Sequence, residues 1–334
     1  MKKPISVVIC TYNGAAQIKA CLQSVAEQTA LADRFEVIII DNNSTDATHK
    51  IVSEFLKHLP NAKLLTESQV GLSHARNRGF KESTSEYVAY LDDDAKAVPA
   101  WIEQAIGIID EQHPDIFGGP IYPFYETPPP PWLKDEYNSY SVYDGPRYLA
   151  HGELLCGSNI FLRRELLSEY GGFDPELGMK ANSAGYHEET AVQLRAQSES
   201  RRIYYHPGLQ VLHLVGCSKQ NVLHYLCYAY KSGKDGARIW PGQCTSDDLW
   251  SMVKDVDSFF GNMEKAARSG DQGAHSYPEN YIIEELLPTL YSFGRAVGYW
   301  SQEQQSREFM SKLQRAAGTL TDIQRGALCV AMDS

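Results

Sequence analysis

"YVAYLDDDAKAVPAWIEQ", residues 87–104, decides how this chain is read. An apolar run ends in three consecutive aspartates, Asp92, Asp93 and Asp94, with no basic neighbour nearer than Lys96. Adjacent carboxylates repel, so their concentration where a strand leaves the core has two readings. The run is a loop that holds a cation, or it is a solvated acidic turn that caps the helix expected over 101–112. In an extended conformation Asp92 and Asp94 point to one side and Asp93 to the other, so two carboxylates approach one divalent ion or its bound phosphate. Hard oxygen ligands suit Mg or Mn, the ions that commonly bridge the oxygens of a nucleotide diphosphate.

Outward from that stretch, the first hundred residues alternate between two periods. Residues 6–10 read as a buried strand, and over 15–28 Ile18, Leu22 and Val25 follow at helical spacing. Strands are expected at 35–40, 62–66 ("AKLLT") and 87–91. A second helix carries Ile51, Phe55 and Leu59 after the turn-forming "DNNSTDAT", and a third covers 73–81. Such alternation implies an α/β fold with a mainly parallel sheet flanked by helices. Ligands of open sheets sit at the carboxyl ends of the strands. The polar clusters fall there each time: Thr11-Tyr12-Asn13, Asp41-Asn42-Asn43 and Asp92-Asp93-Asp94.

From residue 113 the pattern loosens. The four prolines of "TPPPPW" cannot join a central ladder, so 127–132 is expected as an extended surface segment. "GSNIFLRRELLSEYGGFDP" reads as strand, helix and Gly-Gly turn, a Gly/Asn/Ser-rich loop runs to Tyr186, and "HEETAVQLRAQ" then forms a helix. "RRIYYHPGLQVLHLV" supplies one or two strands. Beyond Val215 everything suits helices: 220–240, 247–268, 281–300 and 302–317. The expected division is a catalytic domain over 1–215, with halves at 1–112 and 113–215, followed by a helical C-terminal region over 216–334.

Composition sets limits on function. The chain has 334 residues, 43% hydrophobic and 22% charged, enough for a sizeable core. A formal charge of -11 argues against nucleic acid as a partner, because that affinity rests on Lys and Arg. Seven scattered cysteines with no C-x-x-C pair fit free thiols in a reducing compartment. The apolar run after "MKK" stops at Cys10, too short for a signal peptide, and no window approaches a membrane span of about 18 apolar residues. A cytoplasmic protein is expected, peripheral at the inner face of the membrane if it meets one.

Three further groups bear on chemistry. "HEET", His187–Thr190, opens a helix. Its carboxylates Glu188 and Glu189 either cap that helix or, beside a sugar nucleotide, take the proton from an attacking hydroxyl. His213 in "VLHLV" is a core histidine or a third metal ligand. Arg76 and Arg78 in "GLSHARNRGF" lie near the same sheet edge, one against a nucleotide base or phosphate, or both in solvent. The chain has no G-x-G-x-x-G, Walker loop or G-x-S-x-G.

Taken together, "ISVVICTYNG", "VIIIDNNSTDAT", "VGLSHARNRGF", "YVAYLDDDA" and "GGFDPELG…GYHEETAVQLR…IYYHPGLQVLHL" resemble the family 2 glycosyltransferases of the GT-A fold, over residues 4–215. The resemblance implies an inverting, metal-dependent transferase of nucleotide-activated sugars, UDP-sugars favoured. It implies nucleotide-sugar contacts from Thr11, Tyr12, Asn13, Asp41, Asn43, Arg76, Asp92 and Asp93, with Arg76 on the base. Metal ligation (Mn or Mg) falls to Asp94, Asp92 and His213, and general-base catalysis to the Glu188–Glu189 pair, Glu189 favoured.

The implied acceptor is a glycan, lipid-linked or small-molecule hydroxyl, in cell-surface polysaccharide, glycan or glycolipid synthesis. Acceptor contacts are expected from 120–150, the 171–186 loop and the tail. Tyr122, Tyr125, Trp132 and Tyr137 stack on a sugar or fill the core. The tail helices are a candidate homodimer surface. The competing readings are a non-catalytic nucleotide- or glycan-binding module, a sugar-nucleotide pyrophosphorylase, for which "TYNGAAQIKA" is too poor in Gly and Arg, and a glycoside hydrolase, which needs no metal site.

Overall fold

Buried strands with both faces covered read as unbroken apolar runs, and that is how the sheet is built. The computed structural model describes residues 3–180, 185–240, 242–269 and 275–302. Strands β1 (Ile5–Thr11), β2 (Phe35–Asp41), β3 (Ala62–Thr66) and β4 (Tyr87–Tyr90) run parallel, in the spatial order β3-β2-β1-β4. Helices α1 (Ile18–Ala26), α2 (Thr48–Phe55) and α3 (Leu72–Glu82) connect them. Period-2 alternation splits the core into two layers: Ile5, Val7 and Ile9 pack on one face of the sheet with α1 and Trp101, Val8 on the other with Ala75 and Phe80 of α3. Gly79 lets α3 lie close on β1, since a Cβ there would stand 2.3 Å from Cγ1 of Val8.

The third helix expected from the sequence thus sits directly over the central strand. The second ends at Phe55 rather than Leu59 and passes into a 3-10 turn at Leu56–His58.

The aspartate run forms a turn rather than an extended segment: the Ala95 N–H donates to the Asp92 carbonyl at 3.1 Å. It leads into β5 (Ala95–Ala97) and α4 (Trp101–Gln112). The loosened region conceals β6 (Ile116–Gly118), β7 (Ile121–Phe124) and β8 (Arg147–Tyr148), each too short to show a period. After β9 (Ile160–Arg163), α5 (Arg164–Tyr170) and α6 (Glu188–Ser198) come β10 (Ile203–Tyr205) and β11 (Val211–Leu214). The main sheet has eight strands, β3-β2-β1-β4-β9-β6-β10-β8, and β9 and β8 run against the others. A second, three-stranded sheet has the order β5-β11-β7. This is the mixed, mainly parallel GT-A architecture.

Helices α7 (Val222–Gly236), α8 (Ser246–Ser269), α9 (Pro278–Tyr281), a π turn (Ile282–Leu286) and α10 (Leu287–Gln302) follow. The helix expected over 302–317 lies outside the described residues, apart from Gln302 at the end of α10. Trp132 and Leu133, just past the prolines, are buried with Val215, Tyr225 of α7 and Ile283. The buried Asn280 amide donates to the Trp132 carbonyl at 2.6 Å, and the Asn138 amide donates to the Tyr225 hydroxyl at 2.8 Å. Trp132, Tyr137 and Tyr125 therefore seal the joint between the tail and the α/β part. Helices α7 and α10 cross through glycines: a Cβ on Gly294 would lie 2.1 Å from the Tyr230 carbonyl.

Two glycine substitutions should accordingly differ in sign. Gly294→Ala is expected to destabilise by about 1–3 kcal/mol through overpacking. Gly107→Ala, inside α4 where a Cβ meets nothing within 4 Å, is expected to stabilise by about 0.5–1 kcal/mol. Denaturant titration of both variants checks the packing, and equal effects would refute it.

Candidate active site

The strand ends and the loops around them enclose a cleft of about 390 Å³ lined in part by Thr11, Tyr12, Asn42, Asp92, Asp93 and Asp94. Thr11 is buried and its hydroxyl donates to Asp93 at 2.5 Å. Burial, with the like charges of Asp94 and Asp92 behind it, pushes the Asp93 carboxyl up to about 7. The Tyr12 ring is 40% exposed at the cleft. Asn42 is buried and ties the rim together: its amide donates to the carbonyls of Glu67 and Gln69 at 3.0 and 2.7 Å, and its carbonyl accepts from the Gly71 N–H at 2.7 Å.

The register of the small sheet brings His213 to the aspartates. Strand β11 pairs antiparallel with β5, His213 opposite Ala95, and the Leu214 N–H donates to the Asp94 carbonyl at 2.9 Å. His213 Nε2 then lies 3.2 Å from Asp94 Oδ1 and 3.7 Å from Asp92 Oδ2. One ligand atom from each of the three falls within 4.8 Å of the others. Two carboxylates and an imidazole gathered in a cleft are a donor set that fits Mn or Mg. Burial alone would lower the pKa of His213, but its hydrogen bond with Asp92 and the charges of Asp94 and Asp92 raise it.

Lys219 was not singled out in the sequence, where nothing distinguishes it from any other loop lysine. A 3-10 turn at Cys217–Lys219 places its ammonium 3.1 Å from Asp94 Oδ2, on the cleft wall.

Arg76 is the largest departure from expectation. It does not face solvent and is not among the residues that line the cleft. It is 2% exposed, with Nη1 2.6 Å from Glu188 Oε1 and Nη2 3.4 Å from Asp92 Oδ1. Nη2 also donates to the Gly157 carbonyl at 3.3 Å, and the guanidinium packs against the rings of Tyr90 and Phe173. Nη1 and Nη2 are thus both engaged by groups of the protein. Arg78 instead forms a surface pair with Glu82 at 3.0 Å.

The two carboxylates of "HEET" have different surroundings. Glu188 is 4% exposed and bound to Arg76; burial and the neighbouring Glu189 raise its pKa while Arg76 opposes them. Glu189 is half-buried, and among the described residues its carboxylate has no hydrogen-bond or ion-pair partner. Gly157 gives it room, since a Cβ there would stand 3.1 Å from Glu189 Cδ and 2.9 Å from Arg76 Nη1. His187 precedes the pair with φ 78° and directs Nε2–H at the Ser232 carbonyl of α7, 2.8 Å away. The tail thereby holds the entry to α6.

Other expected contacts lie at the edge. Asp41 is buried, accepting from the Ser44 N–H at 3.0 Å and facing His49 Nδ1 at 3.0 Å. Asn13 is pinned to the next loop, its N–H donating to Ser44 and its side chain accepting from the Thr45 N–H. Asn43 is exposed with φ 65°. None of these three lines the cleft.

A mainly parallel sheet with acidic groups at its carboxyl edge, an added three-stranded sheet and two adjacent carboxylates, one buried and one half-buried, at the start of a helix define the GT-A class of nucleotide-sugar enzymes. The chain belongs to glycosyl transferase family 2: residues 6–171 match that family's model. Glycosyltransferase AglE of Haloferax volcanii is 29% identical over 194 residues, 54% of this chain, and the chain spans 62% of that relative's length. S. aureus TarS 1–349 in complex with UDP-GlcNAc has the same fold, with a TM-score of 0.56 at 21% identity over 92% of this chain and 77% of that one. So does the mannosyltransferase PcManGT of Pyrobaculum calidifontis in complex with GDP-Man and Mn2+, with a TM-score of 0.55 at 18% identity over 96% and 81%. No described helix is long and apolar enough to cross a membrane.

Two predictions follow from the buried charges. Arg76→Met removes the partner of a buried carboxylate and is expected to cost about 3–5 kcal/mol in urea unfolding, whereas Arg78→Met should change stability by less than about 1 kcal/mol; equal losses would refute the difference. The second concerns pH. The folded pKa of Asp93 is about 7 against 3.8 for the free group, so between those values the folded state binds the extra proton and stability falls as pH rises. His213 and Glu188, also raised, act in the same direction above their ordinary values of 6.5 and 4.5. In metal-free buffer Tm should therefore decline from pH 5 to pH 8, and Asp93→Asn should flatten the decline; an unchanged slope in that variant would remove Asp93 as its source.

Proposed function

We propose that the chain transfers a sugar from a nucleotide diphosphate sugar, UDP-linked by preference, to an acceptor hydroxyl with inversion at the anomeric carbon. The observation that carries this reading is a cation-competent cluster, Asp92, Asp94 and His213, standing across Arg76 from an unpaired carboxylate, Glu189.

The donor's nucleoside lies against Thr11, Tyr12 and Asn42, and its diphosphate extends toward the aspartate turn. A divalent cation, Mn or Mg, held by Asp94, Asp92 and His213 would supply Lewis-acid stabilisation of charge on the departing diphosphate. Lys219 adds a fixed positive charge on the same side, 3.1 Å from Asp94. Glu189 takes the proton from the acceptor hydroxyl as its oxygen forms the new bond to C1, while the bond from C1 to the phosphate oxygen breaks and both of its electrons leave with the nucleotide. Glu188 stays with Arg76 and holds the start of α6 in place. The acceptor is a glycan, lipid-linked or small-molecule hydroxyl of the kind used in cell-surface glycan assembly.

Thermal shift with UDP-, GDP- and dTDP-sugars in Mn, in Mg and in EDTA should show a nucleotide-specific stabilisation that EDTA removes. Glu189→Gln should keep that stabilisation while transfer falls by about 10²–10⁴-fold. Asp94→Asn should lose both the stabilisation and turnover, and Lys219→Met should lower kcat more than it raises the donor KM. Near-normal transfer by Asp94→Asn, or loss of donor binding in Glu189→Gln, would overturn these roles.

A further inference from the structure

Three of the aromatics expected to stack on an acceptor, Tyr125, Trp132 and Tyr137, are spent on the joint with the tail. Three other aromatics gather beside Glu189. Tyr140, bridged to Ile121 by backbone hydrogen bonds of 3.0 and 3.1 Å, is 40% exposed. Tyr228, on α7, is 37% exposed. Tyr186, three residues before Glu189, meets Tyr228 edge to face with ring centroids 5.1 Å apart at 78°. The hydroxyls of Tyr140 and Tyr228 are both within electrostatic reach of Cys156 and Tyr186, and that of Tyr228 also of Glu189. Cys156 precedes Gly157, where a Cβ would stand 3.1 Å from Glu189 Cδ. None of the three tyrosines lines the donor cleft.

We propose that Tyr140, Tyr186 and Tyr228 form an acceptor subsite at the seam between α6 and the helical tail, which binds an uncharged pyranose ring and presents one of its hydroxyls to Glu189. The proposal rests on the glycosyltransferase reading and specifies its acceptor. Half-exposed tyrosines offer an apolar face to the C–H side of a sugar ring and a hydroxyl to its polar edge. Their placement on the Glu189 side, away from the aspartate turn, separates acceptor from donor. The charge of the ring follows from the surroundings: the carboxylates Glu189 and Asp235 act on these hydroxyls, and the guanidinium beside Gly157, Arg76, is already engaged by Glu188, Asp92 and the Gly157 carbonyl. A carboxylated or phosphorylated ring would be repelled by those two carboxylates. The tail helix therefore contributes directly to acceptor choice.

The test is binding measured without donor. Saturation-transfer NMR is run on the full chain with methyl glycosides of glucose, galactose, mannose and N-acetylglucosamine, and with methyl glucuronide as the anionic probe. At least one neutral glycoside is expected to give a signal, competed at millimolar concentration, that falls at least tenfold in Tyr140→Ala/Tyr228→Ala and is retained in Tyr228→Phe, which keeps the ring. The glucuronide should give none. Absence of signal from every neutral glycoside, survival of the signal in the double variant, or equal binding of the glucuronide would each overturn the subsite. Donor-induced thermal shift, recorded on the same variants, separates the two levels. Its persistence beside a failed glycoside test rejects this subsite alone, and its absence from the unaltered protein rejects the transferase reading itself. The melting temperature of each variant confirms that it is folded.

Discussion

Arg76 carries a full positive charge at 2% exposure, and the site is built around the cost of keeping it there. Burying a guanidinium is unfavourable by several kcal/mol unless its donors and charge are answered. The answers come from three parts of the chain: Glu188 at the start of α6, Asp92 at the end of β4 and the Gly157 carbonyl before β9. Remove any one and the remaining groups are left with uncompensated charge in a low dielectric. The ion pair thus does more than stabilise: it fixes the distance between the acidic turn and the carboxylate helix, which no backbone hydrogen bond joins directly.

Around that clamp the remaining geometry follows from sheet register. The turn at Asp92–Asp94 reverses into β5, β5 pairs with β11, and the pairing sets His213 opposite Ala95. A slip of one residue would turn the imidazole to the other face of the small sheet. The tail supports the other side, where His187 reaches Ser232 of α7 and the 132–138 segment is sealed beneath Tyr225 and Asn280. The helical region is therefore joined to α6 at its N-cap, where His187 bonds Ser232 and packs its ring edge to face against Trp240.

Much of this was legible in the sequence, and the rest was hidden for identifiable reasons. The parallel strands β1 to β4 showed as apolar runs because both of their faces are buried, and the polar clusters at their ends marked the ligand edge. Strands of two to four residues such as β5, β6 and β8 have no period to detect. Arg76 read as a base or phosphate contact or as a solvent-facing residue, because the group that answers its charge, Glu188, lies 112 residues away. Lys219 carried no signal at all, and the aromatics near the prolines, Tyr125, Trp132 and Tyr137, looked suitable for an acceptor because their partners in the tail lie far along the chain. Side-chain chemistry within one loop can be read locally; chemistry assembled across the sheet cannot.

The adjacent carboxylates Glu188 and Glu189 illustrate how environment divides labour between two identical groups. Both sit in the first turn of α6, where the helix dipole favours negative charge. Consecutive helical positions point about 100° apart, so when one side chain faces inward to Arg76 the other is turned toward the aromatic side. The inward carboxylate is spent on structure, because any proton it accepted would break the salt bridge that holds Arg76. Among the described residues Glu189 has no hydrogen bond or ion pair to lose, and its neighbours include a glycine that gives it space and the tyrosine-bearing α7. A general base must be able to take up a proton without dismantling the site that positions it, and of the two only Glu189 meets that condition.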